Sequence, residues 1–540
     1  MPTIKMSKKD LLSLSGAREK DLSKLPMMGV QVESIDGDQM EVEVEANRSD
    51  MFSVEGIARH LRGFLGIEKG FVEYTVENSD FTLSVDESVR AVRPYIGSAY
   101  ISGLELDDFL IKSIMAVQEK LHTTVGRKRK KIAIGIHDSS RIGRSIIYKA
   151  VRPDEVRFEP LGMDEELDLA EILERHDKGR EYAWVLDGKE RYPILMDTDG
   201  NVLSFPPIIN GNLTLVTPET KEVFLDVTGT DMAVVSQVVA IIVAMFADRG
   251  GKIHRVEIRY PDETLVMPDM SGSAMKLDPS YVRSMLGTDM DADTMVDMLE
   301  KARFGAEKGE MIDVRVPSYR YDLLHQVDLV EEIAISYGYD SMGDSLPKSV
   351  MFGRTLPISG LKRALKESLI GLGFNEIMTL TLTNEKEQFV KMGLEPEDTV
   401  EIENPVTEFH TSMRKWLLPS MMAILNENRH RDLPQRLFET GIVVDGDGKN
   451  RYHMAAVLED DRASFTAVKS LVQRVMADIS AKFTVEEKEH PSFIAGRCAS
   501  ILMDKREIGF FGEIAPPVLS AFEIEHPVSA LEIDLGAFRA

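Results

Sequence analysis

Apolar residues recur at helical spacing in NRSDMFSVEGIARHLRGFLG, from Asn47 to Gly66, where Val54, Ile57, Ala58, Leu61 and Leu65 share one face. Ser53 is placed to cap this helix and Gly66 to stop it. Before it, a helix is predicted after Ser7, with Ser7 and Asp10 as a capping-box-like pair, and MEVEVEA (Met40 to Ala46) alternates as a strand does. KIAIGIHD puts Ile132, Ile134 and Ile136 on one face of a half-buried strand. LSFPPIINGN, Leu203 to Asn212, has two consecutive prolines and predicts a rigid surface loop. FLDVTGTD then leads into VVSQVVAIIVAMFA, Val234 to Ala247, which falls short of the roughly 20 residues needed to cross a bilayer and predicts a buried helix.

Past Pro268 and a Ser-Gly-Ser break, LDPSYVRSMLG and DADTMVDMLEKARF predict two short helices around a turn at Gly287, followed by a strand, IDVRVP, and an acidic segment. Residues 350–540 carry the apolar helices and strands of a larger domain. The order is that of an α+β multidomain chain with divisions at 1–78, 79–265, 266–345 and 346–540, and 540 residues suit roughly three to five domains.

Composition narrows the field. Apolar residues at 43% and charged residues at 29% are those of a globular protein. MPTIKMSKKD has no secretory pattern, and the lone Cys498 suits a reducing cytoplasm without disulfides or a cysteine-built zinc site. A net charge of −26 argues against a surface that binds nucleic acid everywhere, yet Arg127-Lys128-Arg129-Lys130-Lys131 is a local exception, read most simply as a solvated loop. The 29 methionines read as core and interface filler, and His122 and His137 are assigned no catalytic role.

The acidic segment SYRYDLLHQVDLVEEIAISYGY, Ser318 to Tyr339, carries the most chemistry. A helix from Asp328 projects Asp328, Glu331 and Glu332 from one face and Leu329, Val330, Ile333, Ala334 and Tyr337 from the other, with Asp322 on the incoming turn. Four carboxylates invite a hard cation such as Mg²⁺. The same acids equally suit a helix N-terminus without any metal, Asp328 and Glu331 having the spacing of a capping box.

This segment resembles the metal-binding signature of the phenylalanyl-tRNA synthetase β subunit, which implies Mg²⁺ at Asp322, Asp328, Glu331 and Glu332. Three further stretches agree in order. The Asn47–Gly66 run is similar to a family signature; KKIAIGIHD, SFPPIIN and DVTGTD resemble the archaeal editing domain; and ENPVTEFHTSMRKWLLPSMM with RLFETGIVV resembles the synthetase-like final domain. Lys5-Met6-Ser7-Lys8-Lys9 imitates a class I synthetase loop, but Ser7 is read as a helix cap.

The resemblance makes the four divisions an N-terminal domain, a tRNA-binding and editing domain, a helix-turn-helix-like Mg²⁺ module and a class II synthetase-like antiparallel-sheet domain. The last is expected to be degenerate: Arg436 and Glu439 are one residue too far apart for the R-x-E pair of active class II enzymes. It further implies an α₂β₂ complex in which the α subunit binds ATP and attaches phenylalanine to tRNA(Phe). The β chain would then contact tRNA and hydrolyse mischarged Tyr-tRNA(Phe), with Leu203, Asn212 and Asp231 carried over as editing residues. Read from the residues alone, these three are loop packing, a turn and a helix cap. A synthetase-derived scaffold without tRNA activity is the competing reading.

Overall fold

The computed structural model describes residues 2–343, 346 and 351–538 and divides into two compact units, Met1–Leu346 and Pro347–Ala540. In the first unit, strand Gln39–Val44 pairs antiparallel with Thr3–Ser7 on one side and Val30–Asp36 on the other. Helix Val54–Phe64 packs its apolar face into this core, and Ser53 accepts the Gly56 N–H at its start. Ser7 caps helix Lys8–Ser15 through the Asp10 N–H. Asp10 itself turns elsewhere, pairing with Arg249 at 2.8 Å.

A ten-stranded sheet dominates the unit. Its centre pairs Val76–Val85 with Lys252–Arg259, and beyond the latter come Tyr95–Ser102, Glu222–Gly229 and, at the edge, Ile132–Asp138. The expected divisions at 78/79 and 265/266 fall inside strands Val76–Val85 and Thr264–Met267. Helix Met232–Asp248 has ten buried residues, Val235 and the run Val238 to Phe246, as its apolar run predicts.

Two expectations change here. Ile132 to His137 is buried at every position, because the face opposite the isoleucines is also covered. The Pro-Pro segment is not a surface loop: Val202–Phe205 and Ile209–Asn210 form a tight antiparallel pair with the prolines at the turn, and Phe205 and Ile208 are fully buried. An outer hairpin tolerates prolines because their missing N–H groups need no ladder partner.

Three strands, Ser273–Leu277, Ile312–Val316 and Gly305–Glu307, pack under helices Pro279–Leu286, Ala292–Lys301 and Gln326–Tyr337, with Gly287 left-handed between the first two. The acidic helix starts at Gln326, so Asp328 lies in its first turn and accepts the Leu324 and His325 N–H groups at 2.7 Å. Leu329, Val330, Ile333 and Ala334 are buried as predicted, while Tyr337 is exposed.

The second unit is a seven-stranded sheet, antiparallel except where Asn375–Glu376 joins Gln435–Val444. Strand Asn450–Glu459 shows the plan: Met454 and Ala456 face helices Pro357–Gly371 and Phe465–Asp478, whereas Ala455 and Val457 face helix Leu418–Glu427. Glu439 is buried here and accepts from Arg414 at 2.7 Å and Thr379 at 2.6 Å. Among the described residues no helix is long and apolar enough to cross a membrane.

Candidate functional site

Helix Asp108–Thr123, strand Ile132–Asp138 and the Phe205–Gly211 turn enclose a cavity of about 580 Å³. Its walls are mainly apolar, with a few polar groups converging, which is the composition of a small-molecule site. Asp226 and Thr228 enter it from strand Glu222–Gly229, and Thr214 from the turn after the hairpin.

Behind Asp226 stands His137, fully buried. Its Nε2 lies 2.8 Å from Asp226 Oδ2 and its Nδ1 2.8 Å from Thr214 Oγ1. With one ring nitrogen against a carboxylate and the other against a hydroxyl, the imidazole is fixed in orientation. Gly135 makes this possible, since a Cβ there would collide with both the Asp226 carboxylate and the His137 ring.

Opposite, His122 Nε2 accepts the Ile134 N–H at 2.8 Å, and burial holds this histidine down to about 4, so it is neutral near pH 7. Arg129 ties the rim together. It donates to the Ile208 carbonyl at 2.7 Å and the Pro207 carbonyl at 3.2 Å, and its guanidinium stacks over Tyr182. Burial lowers the Arg93 guanidinium to about 10, and it donates to both oxygens of Thr228 at 2.9 Å.

The three residues carried over as editing positions lie outside this wall. Leu203 is fully buried in the core beside Phe81 and Phe224. Asn212 opens the short turn to Thr214, its N–H bound to Glu159. Asp231 caps helix Met232–Asp248 and pairs with Lys131 at 3.1 Å, which is the plain reading of its position. Asp226 and Thr228 are not among the residues expected from the motifs. Their signal was available as polar residues at alternate positions of a strand otherwise built from Val, Phe and Leu.

The four acids of Ser318–Tyr339 are arranged differently. Arg320 grips Asp322 with two bonds, at 2.8 and 2.7 Å, and Glu332 Oε1 at 2.5 Å. Arg48 adds a contact to Glu332 at 3.5 Å while holding Asp50 at 2.9 and 3.0 Å, and Ser49 bonds Tyr321 at 2.5 Å. Thus the Asn47–Gly66 motif and the acidic segment meet face to face. Burial opposes the charge of Arg320, but Glu332 and Asp322 outweigh it and hold the guanidinium protonated.

These positions do not assemble a cage for Mg²⁺. Both oxygens of Asp322 are taken by Arg320, Asp328 caps the helix, and Glu331 is exposed. Among the described residues no group of three or more His, Cys, Asp or Glu side chains converges to hold a metal ion. Glu332 Oε2, buried without a hydrogen-bond partner, is the atom in the cluster best placed to accept one.

The chain is thus a multidomain α+β protein with a cavity in its large sheet domain and a separate module of three strands and three helices. Residues 275–339 match the tRNA synthetase B5 domain, and residues 343–535 match the phenylalanyl tRNA synthetase beta chain CLM domain. The chain is 44% identical over 543 residues to the phenylalanine–tRNA ligase beta subunit of Archaeoglobus fulgidus, covering 100% of this chain and 99% of that one. It is 42% identical to the same subunit of Methanothrix thermoacetophila, over 99% of this chain and 100% of that one. An N-terminal fragment of the phenylalanyl-tRNA synthetase beta subunit from Pyrococcus horikoshii superimposes with a TM-score of 0.60 at 36% identity, over 62% of this chain and 99% of that one. The chain belongs to the phenylalanine–tRNA ligase β-subunit family.

Proposed function

We propose that this chain is the β subunit of a cytoplasmic phenylalanine–tRNA ligase and takes part in making phenylalanyl-tRNA with an α partner in an α₂β₂ assembly. ATP binding and charging belong to α. The full-length relationship to named β subunits carries this reading. The capture of Glu439 by Arg414 and Thr379 supports a second unit that retains a synthetase-like sheet without the pairing an adenylate site needs.

The cavity is the place for hydrolysis of Tyr-tRNA(Phe). Asp226 is the buried acceptor in an apolar wall, so a tyrosine hydroxyl has a partner there and phenylalanine leaves it unpaired, a difference that discriminates strongly. His137 orients Asp226 rather than acting on substrate. For the acidic segment, the reading that fits its contacts is an arginine-clamped joint in place of a Mg²⁺ site, with Glu332 Oε2 left buried without a hydrogen-bond partner.

Coexpression with the cognate α subunit tests the whole. The complex is expected to charge tRNA(Phe) and to hydrolyse Tyr-tRNA(Phe), and Asp226→Asn is expected to slow hydrolysis at least tenfold while charging persists. A complex that assembles but does neither favours the scaffold reading, and hydrolysis undiminished in Asp226→Asn removes the cavity from editing.

A further inference from the structure

The basic run at Arg127–Lys131 is not an ordinary surface loop. Three consecutive residues, Arg127, Lys128 and Arg129, adopt the left-handed backbone with φ of 48°, 55° and 65°. Side-chain-bearing residues avoid that region, and a run of three persists only where its surroundings impose it. They do: Arg127 N–H bonds Thr124 O at 3.0 Å, Arg129 N–H bonds His122 O at 3.0 Å, and Lys131 N–H bonds Gly126 O at 2.8 Å. Arg93 adds a bond to the Lys130 carbonyl at 3.2 Å.

The tight turn sorts the side chains. Arg129 and Lys131 are answered by Glu119 and Asp231, and Arg129 forms part of the cavity wall. Arg127, Lys128 and Lys130 are exposed, and among the described residues none of them has a carboxylate partner. In a chain of net charge −26, three unanswered cations beside one cavity mark where an external polyanion belongs.

We propose that the Gly126–Lys131 turn is a phosphodiester clamp. Arg127, Lys128 and Lys130 hold the backbone of a single-stranded RNA whose aminoacylated end enters the cavity, while Arg129 fixes the turn to the cavity rim. This rests on the hydrolytic reading of the cavity for the identity of the strand, and the charge geometry alone argues for the phosphates.

The test uses the α–β complex and the triple variant Arg127→Glu, Lys128→Glu, Lys130→Glu, with Arg127→Lys, Lys130→Arg as the charge-conserving control. Hydrolysis is measured on Tyr-tRNA(Phe) and on tyrosyl-adenosine, which has no phosphodiester. The ratio of kcat/KM for the two substrates is expected to fall at least tenfold in the triple variant and to return in the control. The slope of log binding against log salt for an unstructured oligoribonucleotide is expected to flatten by about 2, at roughly 0.7 per lost phosphate contact. Equal loss on both substrates, or equal oligoribonucleotide binding by both proteins, overturns the clamp. So does binding of polyglutamate in preference to RNA. If the wild-type complex hydrolyses neither ester, the hydrolytic reading fails, and the oligoribonucleotide measurement still decides the clamp.

Discussion

Around Asp226 one carboxylate meets one imidazole beside an open cavity, whereas around Arg320 two carboxylates meet one guanidinium and a second guanidinium, Arg48, closes from another segment. Both regions bury charge on the same scaffold, but only the second is marked by clustered acids in the sequence. The difference is how completely each acid is answered from within the chain. A buried carboxylate neutralised by bidentate arginine is a joint, costly to break and with little left to offer a ligand. One held in place by a single imidazole and facing a cavity keeps acceptor capacity for a visitor.

Breaking the joint should have the largest effect. Arg320→Met leaves buried Glu332 and the covered Asp322 side chain without their main partner, and a loss of about 3–5 kcal/mol is expected in urea unfolding of the complex. Chelation of divalent ions should change stability far less. If chelation costs as much as the substitution, the acids are a metal site first and a joint second.

Next comes the packing behind the cavity. Gly135→Ala drives a methyl into Asp226 and His137, for about 1–3 kcal/mol and loss of Tyr-tRNA(Phe) hydrolysis. Gly143→Ala is the matched control, because its new methyl would meet Asp199 at an ordinary 3.5 Å. Equal effects from the two would mean that the Asp226–His137 arrangement is not tightly imposed.

What could be read from the sequence follows the range of each interaction. The Ser53-capped helix and the Ser7 cap were legible because the determinants lie within a turn of each other. His137 and Asp226 are 89 residues apart and meet only through strand pairing, so neither motif alone announces the other. In the acidic segment the acids invite an external cation, although Arg320 sits two residues before Asp322 and Arg48 lies in the other motif. The Pro-Pro hairpin departs from the expected loop because prolines exclude a strand only where its N–H groups are needed.

A smaller effect separates the regions by pH. His122 has its folded value lowered to about 4, chiefly by burial, with Arg129 adding to this and Glu119, 3.7 Å away, working against it. The unfolded chain therefore binds more protons between about pH 4 and its ordinary value of about 6.5, and stability rises with pH across that window and is complete above it. His122→Gln, which keeps an acceptor for the Ile134 N–H, is expected to remove about 1–2 kcal/mol of the wild-type loss between pH 7 and 5. His60 and His490, also lowered mainly by burial, are common to both proteins and cancel in the difference. An unchanged pH dependence would place the His122 proton outside the folding balance.

Asp231→Ala should have the smallest effect and tests the line between cap and site. Its carboxylate accepts the Ala233 N–H at 3.1 Å, and it pairs with Lys131 at a partly exposed position, so its removal is expected to cost about 1 kcal/mol as lost helix capping. Hydrolysis of Tyr-tRNA(Phe) at saturating substrate should persist, since the side chain lies outside the cavity wall. Freeing Lys131 beside the basic turn should tighten RNA binding, because one more cation then lacks an internal carboxylate. A tenfold fall in turnover with stability intact would return Asp231 to the hydrolytic site and move the boundary of that site from the cavity to the helix entrance.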